Sequence, residues 1–282
     1  MGMKKQKKIG TFCFHFFCIL FAITSLYPIA WLLASAFKPS SQVFVDAASL
    51  IPKNPTLDNF INGWSGFGGI TFATFFKNTF VVVLLSVLGV VISCPFIAYG
   101  FTRVNFKFKN FWFLTVMLSM MLPGQIVLIP QYIMFNKIGW LDSYLPLIVP
   151  MWLGQAFFIF QHMQFIRSVP KELDEAAWLD GCGTFRTYTH IILPLIVPSI
   201  ISSAIFQFYW SWDNFFGALI YLTTPSKYVL SIALRMFSDP SSNTDWGALF
   251  AMSILSLVPP IAVFFVCQRY IVEGISTDGL KG

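Results

Sequence analysis

Residues 79–101 read TFVVVLLSVLGVVISCPFIAYGF, a stretch without one charged side chain. About 20 apolar residues in an α-helix span the ~30 Å hydrocarbon core of a bilayer, and an unpaired strand there could not satisfy its backbone. The stretch therefore reads as a membrane-crossing helix. On either side lie further stretches of the same character: Gly10 to Phe37, Phe111 to Ile129, Tyr144 to Ile166, Ile191 to Leu222 and Trp246 to Val266. Only Ile191 to Leu222 carries a charge, Asp213. The whole chain agrees, with 56% hydrophobic and 11% charged residues, 33 phenylalanines and a mean hydropathy of +0.71, far from the mix of a soluble domain. The expected fold is all-α, with six transmembrane helices. Pro28, Pro95, Pro123, Pro146, Pro150, Pro194, Pro198, Pro259 and Pro260 should kink these helices, and neighbouring helices can re-satisfy the freed carbonyls.

Lys and Arg stay preferentially on the cytoplasmic side of short loops. With the N-terminus inside, Lys4, Lys5, Lys7, Lys8, Arg103, Lys107, Lys109, Arg167, Lys171, Arg186, Arg269 and Lys281 are interior, and Lys38, Lys53, Lys77, Lys137, Lys227 and Arg235 are exterior. Both termini are thus expected in the cytoplasm. The net charge of +6 is then a topological signal and a contact with anionic lipid, and no nucleic-acid partner is expected. Lys4 to Lys8 and the apolar run after them are too long for a cleaved signal, which favours an uncleaved first helix. Cys13, Cys18, Cys94, Cys182 and Cys267 imply no disulfide framework and no metal-ligand spacing.

Two exterior segments stand out: Lys38 to Lys77, rich in Pro and Gly, and Thr223 to Asp245, around Pro225 and Asp239-Pro240. Each is either a partner contact or a plain connector. Between the fourth and fifth spans, residues 169–195 read VPKELDEAAWLDGCGTFRTYTHIILPL. Ser168 is expected to cap a short helix and Pro170 to occupy its first turn, while Glu172, Asp174 and Glu175 meet the positive end of its dipole. Gly181 and Gly183 should stop it, and Thr184 should open a second turn leading into the membrane at Ile191. Ala176 and Ala177 make a low ridge with Leu173 and Trp178 as apolar anchors nearby. On these residues alone two readings stand, a ridge that slips into a partner's groove or an amphipathic connector resting on lipid.

The string Glu175-Ala176-Ala177, then Asp180-Gly181, Ile191, Leu193-Pro194-Leu195 and Pro198, resembles the EAA loop of bacterial ABC importer permeases in its carbohydrate-importer variant. Cys182 stands where that family usually has Ala, and Tyr188 where Phe is usual. The resemblance extends through Lys77-Asn78-Thr79, Ala98-Tyr99-Gly100-Phe101 with Arg103, Pro123 to Pro130, and Trp212-Asp213-Asn214-Phe215. The tail Gln268 to Val272, with Gly274 and Leu280-Lys281-Gly282, also resembles the family's ending, although Ser276-Thr277-Asp278 departs from it. The chain is most similar to the MalG-like half of a two-permease sugar importer.

The resemblance implies one permease domain over residues 1–282, with a core at about 72–272 and a cytoplasmic coupling hairpin at 167–190. Glu175, Ala176, Ala177, Asp180 and Gly181 would couple to a cytoplasmic ATPase dimer. The implied partners are a second permease of different sequence, that ATPase, an external solute-binding protein and an oligosaccharide, all at a bacterial cytoplasmic membrane. ATP and Mg would belong to the ATPase; this chain has no GxxxxGK[ST] loop, and no catalytic residue or cofactor is expected in it.

Within the membrane, Asp213 is the only carboxylate in a span, and an exposed acid at the bilayer centre costs about 2.5–3.5 kcal/mol. It is expected to face the bundle interior. Asn214, Trp212, Trp210 and Tyr209 lie beside it, an acid, amide and aromatic mix suited to stacking on sugar rings and bonding hydroxyls, and Gln125, Gln155 and Gln161 offer similar groups. Each can equally be an interhelical hydrogen bond. Two rival functions remain open, a proton-coupled secondary transporter using Asp213, and an ABC permease for a peptide, amino acid or inorganic ion. The absence of an evident internal repeat weighs against the first. His15, His162 and His190 sit on separate segments and suggest neither metal nor nucleophile.

Overall fold

Lipid offers a backbone no hydrogen-bond partner, and the chain answers with helix almost throughout. The computed structural model describes residues 2–237 and 245–276, and the side chains of 10–237 and 245–270. Asp239-Pro240, Thr277-Asp278, Leu280-Lys281-Gly282 and the side chains of Lys4, Lys5, Lys7 and Lys8 fall outside these. The helices are α1 (Gly2–Ala36), α2 (Asp58–Ser65), α3 (Phe72–Arg103), α4 (Lys109–Met121), α5 (Gly124–Lys137), α6 (Leu145–Trp152) and α7 (Ala156–Ser168). There follow α8 (Glu172–Leu179), α9 (Thr184–Thr187), α10 (Leu193–Leu195), α11 (Val197–Trp212), α12 (Phe215–Tyr221), α13 (Leu230–Phe237) and α14 (Trp246–Ser276). A π-helical turn, Tyr188–Ile192, joins α9 to α10.

Four helical stretches are long and apolar enough to cross a bilayer: Gly10–Ala36, Phe72–Arg103, Leu145–Ser168 and Trp246–Tyr270. The count reaches six if two bent pairs are each one span, Lys109–Met121 with Gly124–Lys137 at 106° and Thr184–Leu195 with Val197–Trp212 at 75°. The stretches read as continuous over 111–129 and 191–222 are thus broken. Pro123 explains the first break, because its ring drives Leu122 into extended backbone, φ −76° and ψ 121°. The second falls at Ile196, where Pro198 begins a new helix. A third separates α11 from α12 at Asp213-Asn214. Pro28, Pro95, Pro130, Pro259 and Pro260 instead lie inside continuous helices.

The chain forms two compact units, one of residues up to Phe72 with Leu234–Val258, the other of Ala73–Ala233 with Pro259 onward. In the first, the segment after α1 is an ordered loop built around a buried ammonium. Lys38, 2% exposed, donates to the carbonyls of Asp46 and Ser49 at 2.8 and 2.7 Å. Buried Asn59 donates to the carbonyls of Ala36 and Lys38, and Trp31 Nε1 to that of Ala47. These bonds satisfy the backbone left open where α1 ends.

In the second unit, Val90, Cys94 and Ala98 of α3 pack with Phe158, Met163 and Ile166 of α7 and with Ile192 and Ile196. Helix approach depends on small residues, as usual where lipid removes the hydrophobic drive between helices. A Cβ on Gly89 would lie 2.6 Å from the ring of Trp152, whose Nε1 donates to the Leu85 carbonyl at 3.0 Å. A second cluster joins Val82, Phe135, Leu147, Tyr221 and Val229.

Above this second cluster the loop before α6 is tied to the loop after α12. Asp142 Oδ1 accepts from the amides of Thr223 and Thr224, and Oδ2 from the Thr224 hydroxyl and Lys227 Nζ, at 2.6–3.0 Å. Lys227, then the Thr224 hydroxyl and amide, hold the Asp142 carboxyl below the usual carboxylate range. Because the folded pKa lies below the unfolded one, the latch is at full strength above the unfolded value and weakens as pH falls through the folded one. The side chains are 28% and 43% exposed, so solvent screens the pair. Asp142→Asn should cost about 1 kcal/mol and speed amide exchange over 223–230, and wild-type exchange corrected for intrinsic rate should stay flat from about pH 8 to pH 5. A step in protection between those pH values would refute the latch.

Candidate functional site

The segment 169–195 forms the expected pair of short helices, with one change at its start. Ser168 is not the cap. It ends α7 and donates to the Phe165 carbonyl, and α8 begins after Lys171 with no side-chain cap. Val169-Pro170 cannot continue α7, because the residue before proline is forced extended, so the new helix starts a turn later. Glu172, Asp174 and Glu175 do occupy its first turn.

The end of α8 follows from one glycine. Gly181 has φ +79°, its amide donates to the Trp178 carbonyl at 3.0 Å, and the Cys182 amide donates to the Ala177 carbonyl at 2.8 Å. This is the paired-bond termination that a left-handed residue permits. Gly183, at φ −75°, is ordinary extended backbone preceding α9.

α8 has two unlike faces. Asp174 and Ala177 are buried, whereas Leu173, Trp178 and Leu179 are 40%, 61% and 90% exposed and Glu175, Ala176 and Asp180 lie exposed with them. Asp174 Oδ2 lies 2.9 Å from Arg103 Nε, the last residue of α3, and both side chains are nearly enclosed. The angle is not that of a hydrogen bond, and neither Asp174 oxygen has such a donor among the described residues, so charge holds the pair. Burial pushes the Asp174 carboxyl up, while Arg103 and Lys171 oppose that shift. Arg103 Nη2 also donates to the carbonyls of Ile166 and Val169 at 3.1 and 2.6 Å, and Tyr99 Oη donates to the Thr184 carbonyl at 3.2 Å. A hollow of about 390 Å³ lies among Tyr99, Arg103, Asp174, Trp178 and Thr184.

The candidate pathway residues separate into groups. Gln125 and Asn214 line one cavity of about 490 Å³ together with Gln131, Gln155, Phe216 and Tyr221, and no charged residue lines it. Asn214 Oδ1 caps α12 by accepting from the Gly217 amide at 3.0 Å, which leaves its amide nitrogen available. A smaller adjoining hollow adds Gln207, Trp210 and Ser211. Trp212 is spent on packing, buried and stacked on Phe208 at 5.5 Å. Tyr209 donates its hydroxyl to the Pro260 carbonyl at 2.8 Å, the interhelical role. Asp213 is a correction. It caps the C-terminus of α11 and is exposed on this chain, not enclosed by its helices, because the helix ends one residue earlier. Gln161 is not in the cavity, and its Oε1 is buried without a partner among the described residues.

The sequence missed Arg103–Asp174 and Tyr99–Thr184 as contacts, although Tyr99 and Arg103 stood out where a span meets a basic flank. It also missed Gln131 and the buried His162 Nδ1···Ser199 Oγ bond of 2.8 Å, which crosses from α7 to α11 just past the break at Ile196. No group of three or more candidate metal ligands occurs among the described residues.

The model of a family described as binding-protein-dependent transport system inner membrane component matches residues 87–277. A probable ABC transporter permease protein of Bacillus subtilis, YurM, is 34% identical over 99% of this chain and 91% of its own length. The arabinooligosaccharides transport system permease protein AraQ of Halalkalibacterium halodurans is 31% identical over 93% of each. The fold matches a chain in the crystal structure of a bacterial ABC transporter involved in the import of the acidic polysaccharide alginate, with a TM-score of 0.83 and 18% identity over 94% of this chain and 97% of that one.

The two glycines make opposite predictions. A Cβ at either meets no atom within 4 Å, so only backbone conformation matters. Gly181→Ala should cost about 1 kcal/mol and speed amide exchange in α8 about fivefold, and Gly183→Ala should change it little. Equal effects would show that the left-handed turn does not terminate α8.

Proposed function

The chain belongs to the family of binding-protein-dependent transport system inner membrane components, and from that premise we propose that it forms half the pathway of an ATP-driven oligosaccharide importer, with residues 167–190 as its coupling segment. One observation carries the reading. α8 is held by a buried face, while Leu173, Ala176, Trp178 and Leu179 project from a segment outside the long spans, where an apolar ridge calls for a partner groove. Glu175, Ala176, Ala177, Asp180 and Gly181 make up that ridge and its end. The groove belongs to a cytoplasmic ATPase dimer, which binds ATP and Mg, and its closure drives the spans between inward-open and outward-open states. This chain hydrolyses nothing.

The excess of Lys and Arg on the coupling-segment side puts that segment and both termini in the cytoplasm of a bacterial cell, with residues 1–282 acting as one permease domain whose core is about 72–272. A second permease of different sequence completes the pathway, and an external binding protein delivers the solute. The amide-lined, uncharged cavity at Gln125, Gln131, Gln155 and Asn214 suits a neutral sugar, whose hydroxyls both donate and accept. AraQ, named for arabinooligosaccharides, is consistent with that cargo.

Tagged chain purified from its native membrane in mild detergent should bring down an ATPase and a second permease, and Gly181→Trp should uncouple transport from hydrolysis. Transport unchanged in Gly181→Trp would sink the coupling assignment. A chain recovered alone, or only as a homodimer, would overturn the importer reading in favour of proton-driven uptake through Asp213. Gln155→Leu should lower import of neutral oligosaccharides at least tenfold, since one buried polar partner left unmatched is worth about 1–3 kcal/mol. Undiminished import would take the cavity off the pathway.

A further inference from the structure

We propose that α3 is a transmission rod that carries movement of the coupling segment to the loop 223–230 at its other end. The proposal rests on the reading of 167–190 as that segment. Tyr99 and Arg103 stand one turn apart on the same face of α3. Arg103 holds the start of α8 through Asp174, and also the chain entering it through the carbonyls of Ile166 and Val169. Tyr99 holds the start of α9 through the Thr184 carbonyl. Both ends of the candidate coupling helix are therefore fastened to adjacent turns of one helix.

The N-terminal end of α3 is fastened too. Asn78 Nδ2 donates to the carbonyls of Ser226 and Tyr228, both at 2.9 Å, and Thr79 Oγ1 accepts from the Leu230 amide at 2.8 Å. Between Thr79 and Arg103 the helix runs unbroken for about 36 Å, passing through Pro95.

The other spans that reach the coupling segment are interrupted. α7 enters it, but Leu153 to Gln155 separates α7 from α6. α9 leaves it, but the path to α11 passes a π-helical turn and a 75° bend. A joint absorbs a push by changing its angle, whereas a continuous helix gripped at both ends passes the displacement on. Arg103, Tyr99, Asn78 and Thr79 are accordingly positioning residues, touching neither ATP nor solute.

The test uses the complete importer purified with its partners and hydrogen exchange over 223–230, with the ATPase either nucleotide-free or trapped closed with ATP and vanadate. Trapping should change exchange in 223–230 several-fold in the wild type. Tyr99→Phe combined with Asp174→Asn, which loosens both grips while preserving side-chain size, should remove that response with the ATPase subunit still bound. Asn78→Ala, at the opposite end, should remove it as well. Should the double variant fail to assemble, Tyr99→Phe and Arg103→Lys singly are measured in the same way, and each should weaken the response. An absent wild-type response, or an undiminished response in assembled variants, overturns the proposal. Gly181→Trp separates the two levels: if it abolishes the response while the α3 variants do not, only the rod falls, and if it too leaves the response intact, the coupling assignment falls with it.

Discussion

A backbone amide or carbonyl inside hydrocarbon has no partner but the protein itself, and this limits where the chain can depart from helix. Each departure within a candidate span is met by local satisfaction. At the break between α6 and α7 the Gln155 amide donates to Cys94 Sγ at 3.3 Å and the Leu153 amide returns to the Pro150 carbonyl. At the break between α11 and α12, Asn214 caps the new helix. Just beyond Ile196, Ser199 meets His162. Polar side chains gather where helices stop, so the cavity bordered by Gln155 and Asn214 lies at two such breaks. Broken helices at a transport site are what this constraint favours, since irregular backbone is tolerated in a membrane only where it lines a cavity or is buried in protein.

Two charge pairs organise the second unit away from the spans, and they differ in kind. Asp142–Lys227 is partly exposed and accompanied by three hydrogen bonds from Thr223 and Thr224, so its strength is shared among many donors. Arg103–Asp174 is nearly enclosed, with its carboxylate oxygens lacking aligned donors. A buried pair adds little net stability against an apolar replacement, yet removing one member leaves a charge stranded and costs about 3–5 kcal/mol. Such a pair fixes an arrangement more than it strengthens a fold.

The spans and the two-helix segment were legible because their signals are local: charge-free runs of sufficient length, acids in a first turn, a glycine where a helix must stop. The breaks were not, because proline inside an apolar run reads the same whether the helix bends through it, as at Pro95, or ends before it, as at Pro123. Ser168 failed as a cap for a related reason, since the restriction imposed by Pro170 moved the helix start to beyond Lys171. In the cavity, Gln125 and Asn214 were found by residue type. Tyr209 and Trp212 have the same chemistry, but neighbours distant in sequence claim one and close packing claims the other. Arg103 and Asp174 are some seventy positions apart, a separation at which one sequence holds no signal of contact.

The first helix is exceptional in that its apolar window, with a mean hydropathy of 2.1, has no buried residue. Its flanks are solvated by lipid and its backbone by its own hydrogen bonds. During synthesis such a segment reaches its final environment on leaving the translocon, before any later helix exists. The broken pairs cannot do so, since their polar gaps need partners that emerge later. Order of synthesis and independence from the rest of the bundle thus coincide at this end of the chain, and α1 can set the topology for everything that follows.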